Sequence, residues 1–159
     1  MINDLTKVGI IGGSGFTGEE LLRFLSNHPK TEVIAISSRT LLGQSTNQIV
    51  EGSDLIFIEP DNDIFYDCEV VFFATPHGVS MNLVNLFINK NIKVIDLSAD
   101  FRLKDVGTWE EWYNISHSQE ELLSESVYGL TELNSSEIES ARLVAVPGCY
   151  PTASLLALL

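Results

Sequence analysis

Short apolar runs recur along the chain at residues 8–11, 33–36, 55–58, 70–73, 92–95 and 143–146. Each is apolar on both faces, the pattern of a strand buried in a sheet covered on each side. Helical periods fall between several of them. After the first run Leu21, Leu22 and Leu25 recur at helical spacing, and after the fourth Val79, Leu83, Leu86 and Phe87 follow i, i+4, i+7 and i+8. This alternation predicts an α/β fold, a doubly wound, mostly parallel sheet of the Rossmann type.

Two stretches break the rhythm. The run at 55–58 sits among Gly52, Pro60 and Asn62, so residues 44–67 are expected to form an irregular insertion. Residues 101–134 lack a clear period, apart from a short helix expected at 120–123. Internal repeats and low-complexity tracts are absent.

With 159 residues, 45% hydrophobic and 19% charged, the chain suits a globular domain with a real core. Its apolar runs are too short to span a bilayer, and the N-terminus MINDLTK lacks the features of a secretory signal, so a cytoplasmic protein is expected. The 22 acidic residues against 9 basic ones give a net charge of −13, which disfavours nucleic acid and anionic membranes as partners and leaves a small molecule. The acidic residues concentrated at 109–139 read as a solvated face. Two cysteines, Cys68 and Cys149, form no CxxC pair; free thiols are expected and a metal site is not.

The first strand runs into Gly12, Gly13, Ser14, Gly15, Phe16, Thr17 and Gly18, then into a helical pattern. Glycines 12, 15 and 18 spell GxxGxxG, while 13, 15 and 18 spell GxGxxG, and the sequence leaves the register open. In either register the absent side chains permit a tight turn and close approach of backbone to a pyrophosphate, whose charge suits the N-terminus of the following helix. The second strand ends in Ser37, Ser38 and Arg39, where NAD-binding folds usually place an acid. Two hydroxyls and a guanidinium suit a 2′-phosphate, which favours NADP; an ordinary surface arginine is the alternative for Arg39.

Near the other end, the run at 143–146 meets Pro147 and Gly148, and Pro151 suits the first turn of a helix, so Cys149 is expected at a helix N-terminus. The positive end of that helix and its unpaired amides favour a nucleophilic thiolate and would stabilise an oxyanion. Cys68 lies in an apolar stretch and reads as a buried structural cysteine. A dinucleotide fold carrying a nucleophilic cysteine suggests hydride exchange with a thioester.

Five segments, VGIIGGSGFTGEELL from Val8, FFATPHGVS from Phe72, IDLSADFRL from Ile95, YGLTELN from Tyr128 and VPGCYPTA from Val146, resemble the N-acetyl-gamma-glutamyl-phosphate reductases. The resemblance implies NADPH-dependent reduction of N-acetyl-glutamyl 5-phosphate to the semialdehyde in cytoplasmic arginine biosynthesis, by a homo-oligomer at full length. It places the nucleophile on Cys149, the dinucleotide loop on Gly12 to Gly18, and the 2′-phosphate region on Ser38 and Arg39. It also places Pro76, His77 and Gly78 along the cofactor cleft and residues 98–102 close to the active site. Read without the resemblance, His77 is more often a surface or hydrogen-bonding histidine than a catalyst, and an equal alternative for Arg102 is to tie down its own loop through Asp100.

The chain departs from the family's pattern at Val146, where asparagine is common, and at Thr131, where proline is. Members are also longer, with a substrate domain that supplies a histidine base. Residues 1–148 are accordingly expected to be the dinucleotide-binding domain and 149–159 the start of the cysteine helix leading into a substrate domain outside this chain. Neither His28 nor His117 sits in the family's histidine motif. Two other functions remain open on sequence: a non-catalytic NADP-binding module, and a reductase of the longer aminoadipyl analogue of lysine biosynthesis.

Overall fold

The computed structural model describes residues 5–159, which form two compact units divided between Thr75 and Pro76.

The first unit contains β1 (Thr6–Ile11), α1 (Phe16–Ser26), β2 (Thr31–Ser37) and β3 (Val70–Phe73). The strands lie in the order β2-β1-β3, all parallel, with Val8 opposite Val33 and Val70, and Ile10 opposite Ile36 and Phe72. Branched residues dominate these positions because they fit a pleated surface buried on both sides. Leu22 of α1 packs with Ile10, Ile36 and Phe57, and Leu21 and Leu25 cover the cluster. The helix ends at Asn27, whose side-chain amide donates to Arg23 O at 2.8 Å.

Residues 44–67 are irregular as expected, and the run at 55–58 is not a strand. Two short 3-10 turns, Thr46–Gln48 and Asp63–Asp67, flank isolated bridges of Ile56 to Ser45 and Ile58 to Ser37. The backbone changes partner along the run: Phe57 N donates to Gln44 O at 2.9 Å, and Ile58 N to Ile36 O at 3.0 Å. Pro60 then lacks the N–H a ladder needs. Burial of Phe57 in the core fixes the run without a ladder.

The second unit contains α2 (Ser80–Ile88), β4 (Lys93–Asp96), α3 (Val106–Tyr113), α4 (Glu120–Glu125), β5 (Val127–Tyr128), α5 (Thr131–Ser140), β6 (Leu143–Ala145) and α6 (Cys149–Leu158). Its strands run parallel in the order β4-β6-β5. The strand pairings within each unit are parallel and helices connect the strands, so the α/β, Rossmann-like arrangement holds.

α2 buries a different face from the one its spacing suggests. Met81, Val84, Phe87 and Ile88 are buried, while Leu86 is exposed. The helix proper begins at Ser80, so Val79 is its cap and does not belong to the stripe. α3 was hidden by its polar surroundings. Asp105 caps it, accepting from Thr108 N at 2.7 Å and from the Thr108 hydroxyl, bonds that hold its carboxyl below the usual range. Trp109 is fully buried, its indole N–H donating to Ala99 O at 2.9 Å. α5, by contrast, buries no residue and is interrupted at Asn134. The acidic stretch is therefore mostly solvated, as expected, but anchored by one large aromatic. Among the described residues no helix is long and apolar enough to cross a membrane.

Candidate functional site

In the first unit the glycine turn leaves the carboxyl end of β1, where ligands of open parallel sheets bind. Three of its glycines are required by the protein itself. Gly12 has φ of +86°, and a Cβ there would stand 2.6 Å from Ala74 O. A Cβ on Gly13 would stand 2.3 Å from Ile36 Cγ1, and one on Gly18 2.4 Å from Gly12 O. Gly15 is different. It is the N-cap of α1 in ordinary extended geometry, and a Cβ there would meet only Gly12 O, at 4.0 Å. Gly12 makes the turn, Gly18 brings helix against turn, and Gly15 faces open space. Gly13 is an added packing position against β2.

No side chain caps α1, so its first amides, those of Phe16, Thr17 and Gly18, have no intrahelical acceptor; Phe16 is itself 94% exposed. A dinucleotide fits this arrangement. Gly15 is a cradle that a side chain would fill, the amides want an anion, and Thr75 beside Gly12 holds a buried hydroxyl without a hydrogen-bond partner. The sequence reading missed Thr75, whose only signal is its position just past a strand end.

The end of β2 braces the turn. Gly13 N donates to Ser37 O at 2.8 Å and Gly12 N to the Ser37 hydroxyl at 3.3 Å. Ser38, buried, donates its hydroxyl to Ser14 Oγ at 2.7 Å and accepts from Thr40 N and Leu41 N. Ser38 thus holds the loop in shape. Arg39 is exposed and, among the described residues, joins no ion pair, which leaves its guanidinium available to an anion.

In the second unit Cys149 opens α6, with Gly148 as N-cap, and its thiol is free and exposed. Thr152 closes the first turn, its N–H and hydroxyl both donating to Gly148 O, at 3.0 and 2.9 Å. Pro151 has no amide, so Cys149 and Tyr150 carry the N–H groups left unpaired at this helix start. Cys68 is the opposite case: buried, with burial the main cause, next to Asp67, that pushes its thiol up to about 12. It is inert at neutral pH, as its apolar setting suggests.

Arg102 does not pair with Asp100. Its Nε donates to Val146 O at 2.8 Å and its Nη2 to Leu97 O at 2.9 Å, while Nη1 lies alongside Gly148. The turn before Cys149 is therefore held through the Val146 carbonyl, and its amide donates to Asp96 O at 2.8 Å. Backbone groups make both ties, so valine serves where the family commonly has asparagine. Gly129 approaches the same strand, donating to Ala145 O at 2.8 Å.

Asp100 and Asp96 are buried instead in a network of hydroxyls. Asp100 accepts from Gly78 N at 2.8 Å, Met81 N at 3.1 Å and the Ser80 hydroxyl at 2.8 Å. Asp96 accepts from Ser98 N at 3.0 Å and the Ser98 hydroxyl at 2.8 Å. Burial, only partly offset by the bonds from Ser98, pushes the Asp96 carboxyl up from 3.8 to about 6. The folded state then holds a proton that the unfolded chain has released. Stability from this group is full below about pH 4 and is lost as pH rises to about 6, by about 3 kcal/mol. Urea midpoints across that window, compared with those of Asp96→Asn, read the loss directly.

The histidines are engaged with backbone. His77 Nδ1 accepts from Ala99 N at 3.1 Å, and His28 Nδ1 from Lys30 N at 3.3 Å. His117 Nδ1 accepts from Gln119 N, so its Nε2 carries the proton that goes to Asp100 O at 2.8 Å. Pro76 is exposed at the start of the second unit. Among the described residues no group of three or more His, Cys, Asp or Glu side chains is placed to hold a metal.

Comparison with known proteins gives these features a context. The chain is 53% identical over 158 residues to the N-acetyl-gamma-glutamyl-phosphate reductase of Ruthia magnifica subsp. Calyptogena magnifica, covering 97% of this chain and 46% of that protein. It is 48% identical over 159 residues to the enzyme of the same name from Cellvibrio japonicus, covering 98% and 46%. The chain thus spans about half the length of the relatives it matches, and the resemblance read from the five segments holds.

Among solved structures, aspartate semialdehyde dehydrogenase II of Vibrio cholerae, complexed with ASA, shares the fold with a TM-score of 0.74 at 18% identity, over 97% of this chain and 45% of that one. The Candida albicans aspartate semialdehyde dehydrogenase with NADP gives 0.62 at 17% identity, over 96% and 45%. Residues 7–141 match the family model described as semialdehyde dehydrogenase, NAD binding domain. With that match over most of its length, and the glycine turn of that model's namesake function at its N-terminal end, the chain belongs to the semialdehyde dehydrogenase NAD-binding domain family.

Proposed function

We propose that this chain is the cofactor-binding and nucleophile-bearing part of an NADP-dependent N-acetyl-gamma-glutamyl-phosphate reductase acting in the cytoplasm. The observation that carries the reading is the presence, in one chain, of a glycine turn whose Gly15 alone faces open space and an exposed thiol at the start of α6. The relatives at about half identity supply the substrate, N-acetyl-glutamyl 5-phosphate.

The Cys149 thiolate attacks the acyl carbon, and the bond from that carbon to the phosphate oxygen breaks, leaving a thioester and free phosphate. The unpaired amides at the start of α6 stabilise the oxyanion of that addition. Arg102, whose Nη1 lies beside the Gly148 cap, adds positive charge next to the turn that receives the phosphorylated substrate. When bound, the nicotinamide supplies the hydride that takes the thioester to the aldehyde level. Gly12 to Gly18 take the pyrophosphate, with Ser14 and Ser38 fixing the loop and Arg39 reaching the 2′-phosphate. His117 has both ring nitrogens engaged, while His28 and His77 each accept a backbone N–H at Nδ1; none of the three sits in the family's histidine motif, so the resemblance assigns proton transfer to a group outside them.

The protein at the length of its relatives is expected to oxidise NADPH only with the acyl phosphate present and to release one phosphate per NADPH. Oxidation without phosphate release contradicts the reading. Calorimetry separates the parts of the cofactor site. Gly15→Ala is expected to leave unfolding stability within about 1 kcal/mol, an N-cap effect, while weakening NADPH binding. Arg39→Ala is expected to weaken NADPH binding and spare NADH; equal losses for both cofactors would count against a 2′-phosphate contact.

A further inference from the structure

A run of four buried side chains in the second unit has more hydrogen-bonded contacts than its hydroxyls have protons. Asp96 Oδ2 lies 2.8 Å from Ser98 Oγ, Ser98 Oγ lies 3.0 Å from Ser80 Oγ, and Ser80 Oγ lies 2.8 Å from Asp100 Oδ2. All four residues are buried, at 2% exposure or less. Each of the three oxygen–oxygen contacts needs one hydrogen. The two serine hydroxyls supply two, and with both carboxyls ionised the contact between the serines has none. Unscreened oxygens facing each other without a hydrogen repel in a low-dielectric interior, so the third hydrogen must sit on a carboxyl.

The surroundings decide which one. Asp100 receives two backbone N–H groups besides the Ser80 hydroxyl, the pattern of a stabilised anion. Asp96 receives one backbone N–H, from Ser98, and otherwise faces the Ser98 hydroxyl. With that hydrogen on Asp96 Oδ2, the bond that the Ser98 hydroxyl donates to an ionised Asp96 is reversed, and the hydrogens run in one direction, from Asp96 to Ser98 to Ser80 to Asp100 Oδ2, each donor with its acceptor.

We propose that Asp96, Ser98, Ser80 and Asp100 form one directional chain that retains a single carboxyl proton, on Asp96, and that this chain positions the turn from which Arg102 holds the cysteine loop. The turn is 97–102. Its shape depends on the chain through Ser98 Oγ, which also accepts from Asp100 N at 3.1 Å, and its output is Arg102, joining Leu97 O to Val146 O. Burial acting on Asp96 is in accord with the count, since it raises the carboxyl toward neutrality. The titratable neighbours are Asp100 within the chain, Arg102 at the end of the turn, His77 on Ala99 N and His117 on Asp100 O; α2 and β6 contribute none. The proton count stands apart from the proposed reductase reaction, and Ser80 and Asp96 act as positioning residues.

Difference infrared spectra of the protein carrying carbon-13 aspartate read the proton directly. At about pH 5, where an ordinary aspartate is ionised, a protonated carboxyl band is expected, lost by about pH 8. The band should be missing in Asp96→Asn at every pH and present in Asp105→Asn, whose carboxyl lies outside the chain. Absence of the band from the wild type at about pH 5, or its survival in Asp96→Asn, overturns the chain.

The link to the cysteine loop has its own readout. The rate of Cys149 alkylation by iodoacetamide, followed against pH, is expected to carry an inflection at the midpoint of the infrared band. Asp96→Asn, whose amide donates permanently to Ser98 Oγ, is expected to remove that inflection. An inflection unchanged in Asp96→Asn overturns the positioning role and leaves the proton where the spectra put it.

Discussion

Replacing Cys149 with alanine, in the protein at the length of its relatives, is expected to abolish phosphate release from the acyl phosphate, a fall in kcat on the order of 10⁴-fold or more. The other cysteine cannot take over the covalent step. Cys68 is buried, and its thiol is pushed up to about 12. The fold does not depend on the Cys149 side chain. The residue is exposed, and the turn before it is fixed by Val146 backbone and by Thr152 on Gly148 O. Unfolding stability should therefore change by no more than about 0.5 kcal/mol, as for surface positions in general. NADPH binding, proposed above to rest on the glycine turn, should be unchanged. Mass spectrometry after mixing with acyl phosphate but no NADPH should find the acyl adduct on Cys149 in the wild type and nothing in the variant. Equal loss of NADPH affinity would contradict this division of labour.

Much of this was legible because the relevant signals are local. The glycine turn and the cysteine turn each follow a buried strand and precede a helix, and backbone rules for Gly and Pro place both without tertiary information. Gly148, Cys149 and Pro151 fall at the positions those rules assign: cap, first and third residues of α6. What the sequence hid depends on partners far along the chain. Arg102 and Asp100 are two residues apart, and pairing between them was one of the two readings of Arg102. In the fold, Asp100 turns to the start of α2 and Arg102 to the Val146 carbonyl, and only the packed unit brings those partners near.

Secondary structure failed for a similar reason. α3 had its signal in Asp105 as a cap and in Val106, Trp109 and Tyr113 at helical spacing, but Gly107 and the surrounding acids masked it. The run at 55–58 failed the other way. Its residues favour a strand, and it contributes Phe57 to the core, but its backbone bonds alternate between Gln44 and Ile36. An apolar run reports that a segment contributes to the core and says nothing of which backbone it bonds.

Gly18→Ala is expected to damage fold and cofactor binding together, unlike Gly15→Ala four angstroms from its nearest neighbour. A Cβ at Gly18 would meet Gly12 O at 2.4 Å, Gly13 Cα at 2.6 Å and Gly13 C at 2.9 Å. All three are backbone, so no rotamer change relieves the contact. The helix start must move away from the turn. Alanine regains about 1 kcal/mol of helix propensity over glycine. Overpacking against an immovable neighbour costs about 3 kcal/mol, the upper part of the usual range, so the clash wins and a net loss of about 2 kcal/mol is expected. The displaced amides of Phe16 and Thr17 would also lose aim at the pyrophosphate. One charge-assisted hydrogen bond, worth about 1.5–3 kcal/mol, corresponds to roughly tenfold to hundredfold weaker NADPH binding. Urea unfolding and calorimetry on the two glycine variants side by side make the comparison. Gly15→Ala should lose affinity with stability kept, Gly18→Ala should lose both, and a Gly18→Ala protein of full stability would mean that the helix does not rest on the turn.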